Sequence, residues 1–166
     1  MKKGFTLVEL MVVIAIIALI SVIVFANYRE GEKQFSLQRS VHKLAQDIRR
    51  AQNMAMAAKE YSGCSTGYKY GYGIRLTTAG AETGHYILFA DCNNNEDYDS
   101  GEMVEDIEFE SGVEIKTLSG DPLRITFTPP DPTINIKPSD PASIQLGTDS
   151  QTKTITVNNA GLIETE

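Results

Sequence analysis

An apolar run from Phe5 to Ala26 dominates the start of this chain, and one carboxylate, that of Glu9, interrupts it. Roughly 20 apolar residues are enough to cross the hydrocarbon core of a bilayer as an α-helix. Lys2 and Lys3 precede the run, so by the positive-inside tendency we expect the N-terminus in the cytoplasm. The sequence therefore predicts a single-pass membrane protein whose remaining residues form an exported domain.

A run of this kind also occurs in cleaved secretory signal peptides and in plain membrane anchors. No small-x-small cleavage site precedes the polar stretch from Tyr28 to Glu30, which disfavours removal of the whole segment. A plain anchor does not account for Glu9, because ionisable residues inside a membrane are costly and usually functional. Snorkelling of Glu9 to the lipid headgroups is the alternative that keeps the plain anchor.

The residues around the start of the run, Lys3-Gly4-Phe5-Thr6-Leu7-Val8-Glu9, resemble the class III signal of type IV prepilins and pseudopilins. The resemblance implies that a prepilin peptidase cuts between Gly4 and Phe5 and methylates the new amino group of Phe5. Residues 1–4 are then a leader, and residues 5–26 remain as a transmembrane and assembly helix. The resemblance also implies that the Glu9 carboxylate pairs with the N-terminus of a neighbouring Phe5 in an assembled filament.

The next segment, residues 27–60, predicts an amphipathic helix that continues into the exported domain. It contains no proline, and its apolar residues recur at spacings of three and four, as they do on one face of a helix. Polar side chains occupy the opposite face, so a sheet from the rest of the chain is the simplest cover for the apolar face. The apolar positions are Val41, Leu44, Ala45, Ile48, Ala51, Ala55 and Ala58.

Residues 61–166 are expected to form a β-rich exported domain, because short apolar or alternating runs are separated there by Gly, Asn, Asp and Pro. The predicted fold class is α+β, with a long N-terminal helix packed on an antiparallel sheet or small sandwich. We expect residues 129–141 to be an irregular or edge connection. The predicted strands are Tyr72–Thr77, Tyr86–Ala90, Val104–Phe109, Val113–Leu118, Leu123–Phe127, Ser143–Leu146 and Thr152–Val157.

Two short stretches of this domain, Ile87-Leu88-Phe89-Ala90-Asp91 and Thr156-Val157-Asn158-Asn159-Ala160-Gly161, resemble the GspH/FimT group of minor pseudopilins and minor pilins. The resemblance implies a structural subunit of the periplasmic pseudopilus that drives type II protein secretion. The alternative is a minor pilin of a type IV pilus, with a role in assembly, adhesion, motility or DNA uptake. The expected partners are other pilin or pseudopilin subunits, a prepilin peptidase and an assembly platform in the bacterial inner membrane. The exported domain is then periplasmic or extracellular.

An acidic loop, residues 91–102, places oxygen-bearing side chains at the spacing of a twelve-residue calcium loop. Glu96 stands where such loops have glycine, and the flanks read as strands, so an EF-hand proper is excluded. The alternative is a polar hairpin connection whose Asn and Asp side chains cap their own backbone. The candidate calcium ligands are Asp91, Asn93, Asn95, Asp97, Asp99 and Glu102.

The two cysteines, Cys64 and Cys92, both lie in the part of the chain expected to be exported, where a disulfide can persist. A disulfide would tie the acidic loop to the end of the long helix across a closed segment of roughly 30 residues. Two unpaired thiols are the alternative.

Composition argues against other function classes. The formal net charge of -7 makes the overall field repel phosphate backbones, so nucleic acid is an unlikely partner. His42 and His85 have no recognisable partner by spacing, and no nucleophile motif is present, so we expect no enzyme activity and assign no catalytic residue. Apart from calcium, we expect no cofactor.

Overall fold

The computed structural model describes residues 4–64, 71–129 and 133–166. By its internal contacts the chain divides into two compact units, residues 1–35 and residues 36–166. Helix α1 spans Leu7–Met56, and nine strands and one short 3₁₀ helix follow it among the described residues.

In the first unit, the described large apolar side chains are exposed, from 47% for Val13 to 90% for Phe5. Apolar surface of this extent on one helix is normally covered by lipid or by other protein chains. Among the described residues, no helix combines the length and the apolar character that a membrane span requires.

In the second unit, helix α1 buries the apolar face that the sequence predicts. Six of the seven predicted positions are at most 4% exposed, namely Val41, Leu44, Ala45, Ile48, Ala51 and Ala55. The seventh, Ala58, lies beyond the helix, where its φ of 44° is left-handed. The N–H groups of Ala58 and Lys59 donate to the carbonyls of Ala55 and Met54, the two bonds of a Schellman motif. The helix therefore ends about one turn before the predicted residue 60.

The strands form two antiparallel sheets, which confirms the predicted α+β class. Sheet A has five strands in the order β3-β2-β1-β5-β6, and sheet B has four in the order β4-β7-β8-β9. The elements are β1 (Tyr72–Leu76), a 3₁₀ helix (Gly80–Gly84), β2 (His85–Ala90), β3 (Met103–Glu108), β4 (Glu114–Leu118), β5 (Leu123–Thr128), β6 (Thr133–Lys137), β7 (Ala142–Gly147), β8 (Thr152–Val157) and β9 (Ile163–Thr165).

Two of these strands are absent from the predicted set. Strand β6 lies at an edge of sheet A, inside the stretch expected to be an irregular or edge connection. Pro129 and Pro138 flank it and hide the strand pattern, yet an edge strand needs hydrogen-bond donors on one side alone. Strand β9 has three residues and lies at an edge of sheet B, too short for an alternating pattern.

One hydrophobic core joins the apolar face of the second-unit helix to one face of each sheet. Burying aliphatic side chains of this size contributes about 1.5 to 3 kcal/mol each, so this core is the main source of the domain's stability. Fully buried members include Leu44 and Ile48 of the helix, Ile74 and Leu123 of sheet A, and Ile144 and Ile155 of sheet B.

Strand β3 lies at the other edge of sheet A, and polar side chains from the helix and from the segment after it cover this edge. Lys43 Nζ donates to the Glu108 carbonyl at 3.1 Å, and the Tyr61 hydroxyl donates to the Met103 carbonyl at 2.5 Å. Arg50 pairs with Glu105 at 2.7 Å. Occupied carbonyls and charged side chains make an edge a poor template for further strands.

A partly buried hydrogen bond also joins the helix to β2. The Tyr86 hydroxyl donates to Asp47 Oδ2 at 2.6 Å, and Tyr86 is 1% exposed. Burial, and then the bond to Asp47, raise the pKa of the Tyr86 phenol far above its usual range. The phenol therefore stays a neutral donor across the whole physiological pH range.

Candidate assembly site and acidic loop

The predicted processing site precedes the helix. Gly4, Phe5 and Thr6 lie outside regular secondary structure and are exposed. A Cβ added at Gly4 would have no atom within 4 Å, so the Gly4–Phe5 peptide bond is sterically open. The arrangement is compatible with cleavage there, which stays a prediction.

Glu9 and Thr6 form a capping box at the start of the helix. The Thr6 backbone N–H and hydroxyl both donate to Glu9 Oε2, at 2.9 and 2.8 Å, and the Glu9 backbone N–H donates to Thr6 Oγ1 at 3.2 Å. Thr6 is thus the N-cap and Glu9 the third helical residue, and together they satisfy backbone donors that a helix start leaves free. The carboxylate has a structural role within its own chain, besides any role between subunits.

Thr6 is absent from the site residues predicted from the sequence. A Thr-x-x-Glu pattern immediately before an apolar run is the sequence signature of a capping box, so a signal for it is present. The same residues also form the processing motif, and in that motif Thr6 has no assigned role.

In the acidic loop, the carboxylates at the two ends are buried and bonded to the backbone. Asp91 is 1% exposed, and its two oxygens accept the N–H groups of Asn95 and Glu96 at 3.1 and 2.9 Å. Glu102 is 4% exposed and accepts the N–H groups of Cys92 and Asp99 at 2.9 and 2.8 Å. Each buried charge is therefore satisfied by amide donors of the loop itself.

The middle of the loop is also bonded internally. The amide groups of Asn93 and Asn95 both donate to Asp99 Oδ2, at 2.8 and 2.7 Å. Their own oxygens accept the N–H groups of Asn95 and Asp97. Glu96 has a φ of 61°, so it adopts the left-handed conformation of the glycine that a calcium loop has there. The loop shares this one left-handed residue with a calcium loop, while its side-chain oxygens accept amide hydrogens.

This donor set does not fit a calcium ion as it is arranged. Among the described residues, no group of three or more His, Cys, Asp or Glu side chains is placed to hold a metal ion. A calcium ion needs six to eight converging oxygens, whereas Asn93 and Asn95 direct their nitrogens towards Asp99. Calcium binding stays a prediction of the sequence, and it would require these amides to turn over.

Cys64 and Cys92 are joined by a disulfide, with their Cα atoms 5.3 Å apart and a separation of 28 positions in sequence. Cys92 is the second residue of the acidic loop, so the bond attaches the start of the loop to the segment that follows the helix. Tyr61, three residues before Cys64, donates to the carbonyl of Met103, just after the loop. The segment 61–64 thus holds both ends of the loop.

The two histidines, for which the sequence offered no partner, have one each. His85 Nδ1 lies 2.5 Å from Asp106 Oδ1, on the neighbouring strand β3. His42 Nε2 lies 3.0 Å from the Gln38 amide nitrogen, one helical turn away. Both are exposed contacts between side chains, of a kind that is common on protein surfaces.

A second apolar cluster lies on the face of sheet A that points away from the main core. Phe89 is fully buried there, opposite Gly73 of β1. The ring of Tyr98, from the acidic loop, packs edge-on against Phe89 with centroids 5.8 Å apart. The Arg75 guanidinium lies 5.6 Å from the centre of the Tyr98 ring, within the range of a cation–π interaction. The acidic loop therefore folds back over this face of the sheet.

Replacing Gly73 with alanine is expected to destabilise the domain by about 1 to 3 kcal/mol. The added Cβ would lie 2.6 Å from Phe89 Cζ and 2.9 Å from the Ile125 carbonyl oxygen, and neither a buried ring nor a central strand can withdraw easily. Gly84→Ala is the matched control, because nothing lies within 4 Å of its added Cβ. Thermal melting of the two variants measures the difference, and equal melting temperatures would contradict the expected packing.

Two models of known protein families match this chain, one at its N-terminus and one over most of the remaining residues. Residues 1–25 match the family model described as the prokaryotic N-terminal methylation motif. Residues 40–161, well over half of the chain, match the model described as type II transport protein GspH. Comparison with curated proteins and with solved structures found no match. The resemblances in the sequence are thereby confirmed, and this chain, with its N-terminal methylation motif, belongs to the type II transport protein GspH family.

Proposed function

We propose that this protein is a minor pseudopilin of a type II secretion system. It is a structural subunit that assembles through its N-terminal helix into a periplasmic pseudopilus, and it is not an enzyme. The observation that carries the proposal is an N-terminal methylation motif placed directly before a helix with exposed apolar side chains, in a chain of the GspH family. Apolar surface of that kind needs either lipid or neighbouring subunits as a partner.

The proposed life cycle begins in the bacterial inner membrane, with a single span and a cytoplasmic N-terminus. A prepilin peptidase removes residues 1–4 and methylates Phe5, and the assembly platform then moves the subunit into the filament. In the filament the Glu9 carboxylate faces the amino group of a neighbouring Phe5. Both hydrogen bonds from Thr6 are accepted by Oε2, which keeps the carboxylate in one orientation for such a contact.

A minor pilin of a type IV pilus is the second candidate, since the same signal and the same ion pair serve both kinds of filament. A DNA-uptake role within that candidate is disfavoured by charge, because several cations of the second unit already face acidic groups. Arg39 forms an ion pair with Glu110, Arg50 with Glu105 and Arg124 with Asp97. These pairs reduce the positive charge that the domain offers to phosphates.

The test is the mass of the N-terminus after co-expression with a prepilin peptidase. We expect a product that begins at N-methylated Phe5 in the presence of the peptidase and an intact Met1 in its absence. Gly4→Val is a suitable control, because the space around Gly4 is open and a side chain there meets no other atom. We expect this variant to stay uncut beside the active peptidase. An uncut chain beside an active peptidase would contradict the proposal.

Partner capture then separates the two kinds of filament. Cysteine crosslinking from the exposed helix, in cells that carry both systems, is expected to recover pseudopilins of the secretion system. Recovery of pilus subunits alone would favour the type IV pilus candidate instead.

A further inference from the structure

Three cations lie side by side on the outer face of sheet A. Arg75 of β1 is directly opposite Arg124 of β5, and Arg124 is directly opposite Lys137 of β6. Residues directly opposite in antiparallel strands point to the same face, and like charges in such pairs are destabilising. The neighbours Ile74 and Ile125 are fully buried in the main core, which places the cations on the other face. We call Arg75, Arg124 and Lys137 the cationic row.

The acidic loop supplies anions for two members of this row. Asp97 Oδ1 lies 2.5 Å from Arg124 Nε, and Glu96 Oε2 lies 3.0 Å from Lys137 Nζ. The Arg124 side chain is 20% exposed, so its charge is substantially removed from water and its ion pair is less screened than a surface pair.

Neighbouring contacts strengthen this attachment. Asn135, also on β6, donates to Glu96 Oε1 at 2.6 Å, and Lys137 Nζ donates to the Asn95 carbonyl at 3.2 Å. At the other end of the row, Arg75 packs on Tyr98 of the loop and pairs with Glu82 at 3.0 Å. Three consecutive loop residues, 96 to 98, therefore each meet a different member of the cationic row.

We infer that the cationic row is the built-in counter-charge of the acidic loop, so that the loop keeps its conformation without a metal ion. A bound calcium ion has two effects on an acidic loop: it neutralises the carboxylates and it holds the turns in place. Here the row neutralises Glu96 and Asp97, and the backbone amides satisfy the buried carboxylates of Asp91 and Glu102. Arg124 is the central positioning residue, since it lies between the other two cations.

Hydrogen exchange of the loop amides in the full-length chain, held in detergent, tests this inference. The reporters are the N–H groups of Cys92, Asn95, Glu96 and Asp99, which are bonded to buried carboxylates. We expect the same exchange rates in millimolar calcium chloride and in EDTA. We expect Arg124→Gln and Asp97→Asn each to speed exchange about threefold to tenfold, because the loop opens more often. The double variant should be no faster than the faster single one, since both changes remove the same contact.

Lys116→Gln is the control, because this exposed cation of β4 pairs with Glu114 at 3.4 Å and lies outside the cationic row. It should leave the loop amides unchanged. The Asp97 side chain is 41% exposed, so we expect Asp97→Asn to fold. If Arg124→Gln does not fold, Asp97→Asn provides the test by itself. Calcium that slows the exchange of the loop in the natural chain would overturn the inference. So would unchanged loop exchange in both folded variants.

Discussion

Glu9→Leu is expected to leave membrane insertion and processing intact and to lower incorporation into filaments on the order of tenfold or more, because the proposed buried ion pair between subunits would lose one partner. The substitution removes two functions at once, since Glu9 also caps its own helix through Thr6. Incorporation is measured as the fraction of the subunit in sheared filaments relative to the membrane fraction.

Two further variants separate the cap from the charge. Glu9→Gln keeps a side chain that serves in a capping box but removes the negative charge. Thr6→Val removes the capping hydroxyl and keeps the charge. We expect Glu9→Gln to fail nearly as badly as Glu9→Leu, and Thr6→Val to assemble much better than either. Normal incorporation of Glu9→Gln would show that assembly depends on the helix cap alone, and it would contradict an ion pair between subunits.

Loss of the disulfide should have the largest effect on the stability of the second unit, residues 36–166. Replacing both Cys64 and Cys92 with serine removes a crosslink between residues 28 positions apart in sequence. On the chain-entropy account this costs about 3 to 4 kcal/mol of unfolding free energy. A loss of that size lowers Tm by about 10 °C or more in a domain of roughly this length. Thermal melting of the oxidised chain and of the double variant measures it.

The natural chain treated with reductant is the control for this variant, and it should melt close to the double serine form. Intact mass without reductant first establishes that the bond is present, since the oxidised chain is lighter by two hydrogens. A mass that corresponds to two free thiols, or equal Tm values for the oxidised and serine forms, would contradict the expected crosslink.

The buried face of the helix could be predicted because helical periodicity is a local property. The spacing of Val41, Leu44, Ile48, Ala51 and Ala55 alone places them on one side, and all five are buried. Ala58 fits the same spacing but lies beyond the end of the helix. The left-handed turn at Ala58 depends on backbone hydrogen bonds, which a pattern of residue types does not reveal.

The partners of the acidic loop could not be predicted in the same way. Asp97 and Arg124 are far apart in sequence, as are Glu96 and Lys137, and they meet because β1, β5 and β6 are neighbours in sheet A. The carboxylates of the loop have ligand spacing in the sequence, which suggested calcium. The order of the strands then brought protein cations to Glu96 and Asp97, of which only Asp97 is a candidate ligand.

The processing motif, the apolar helix with Glu9, the α+β class and the position of most strands follow from the amino-acid sequence, because each depends on residues that are close along the chain. The strand order, the cover of the outer face by the loop and the counter-charges of Glu96 and Asp97 depend on the tertiary fold instead. The physical reason is that strand order and cross-strand register result from packing the whole core. This order and register determine which charges that are distant in sequence come into contact.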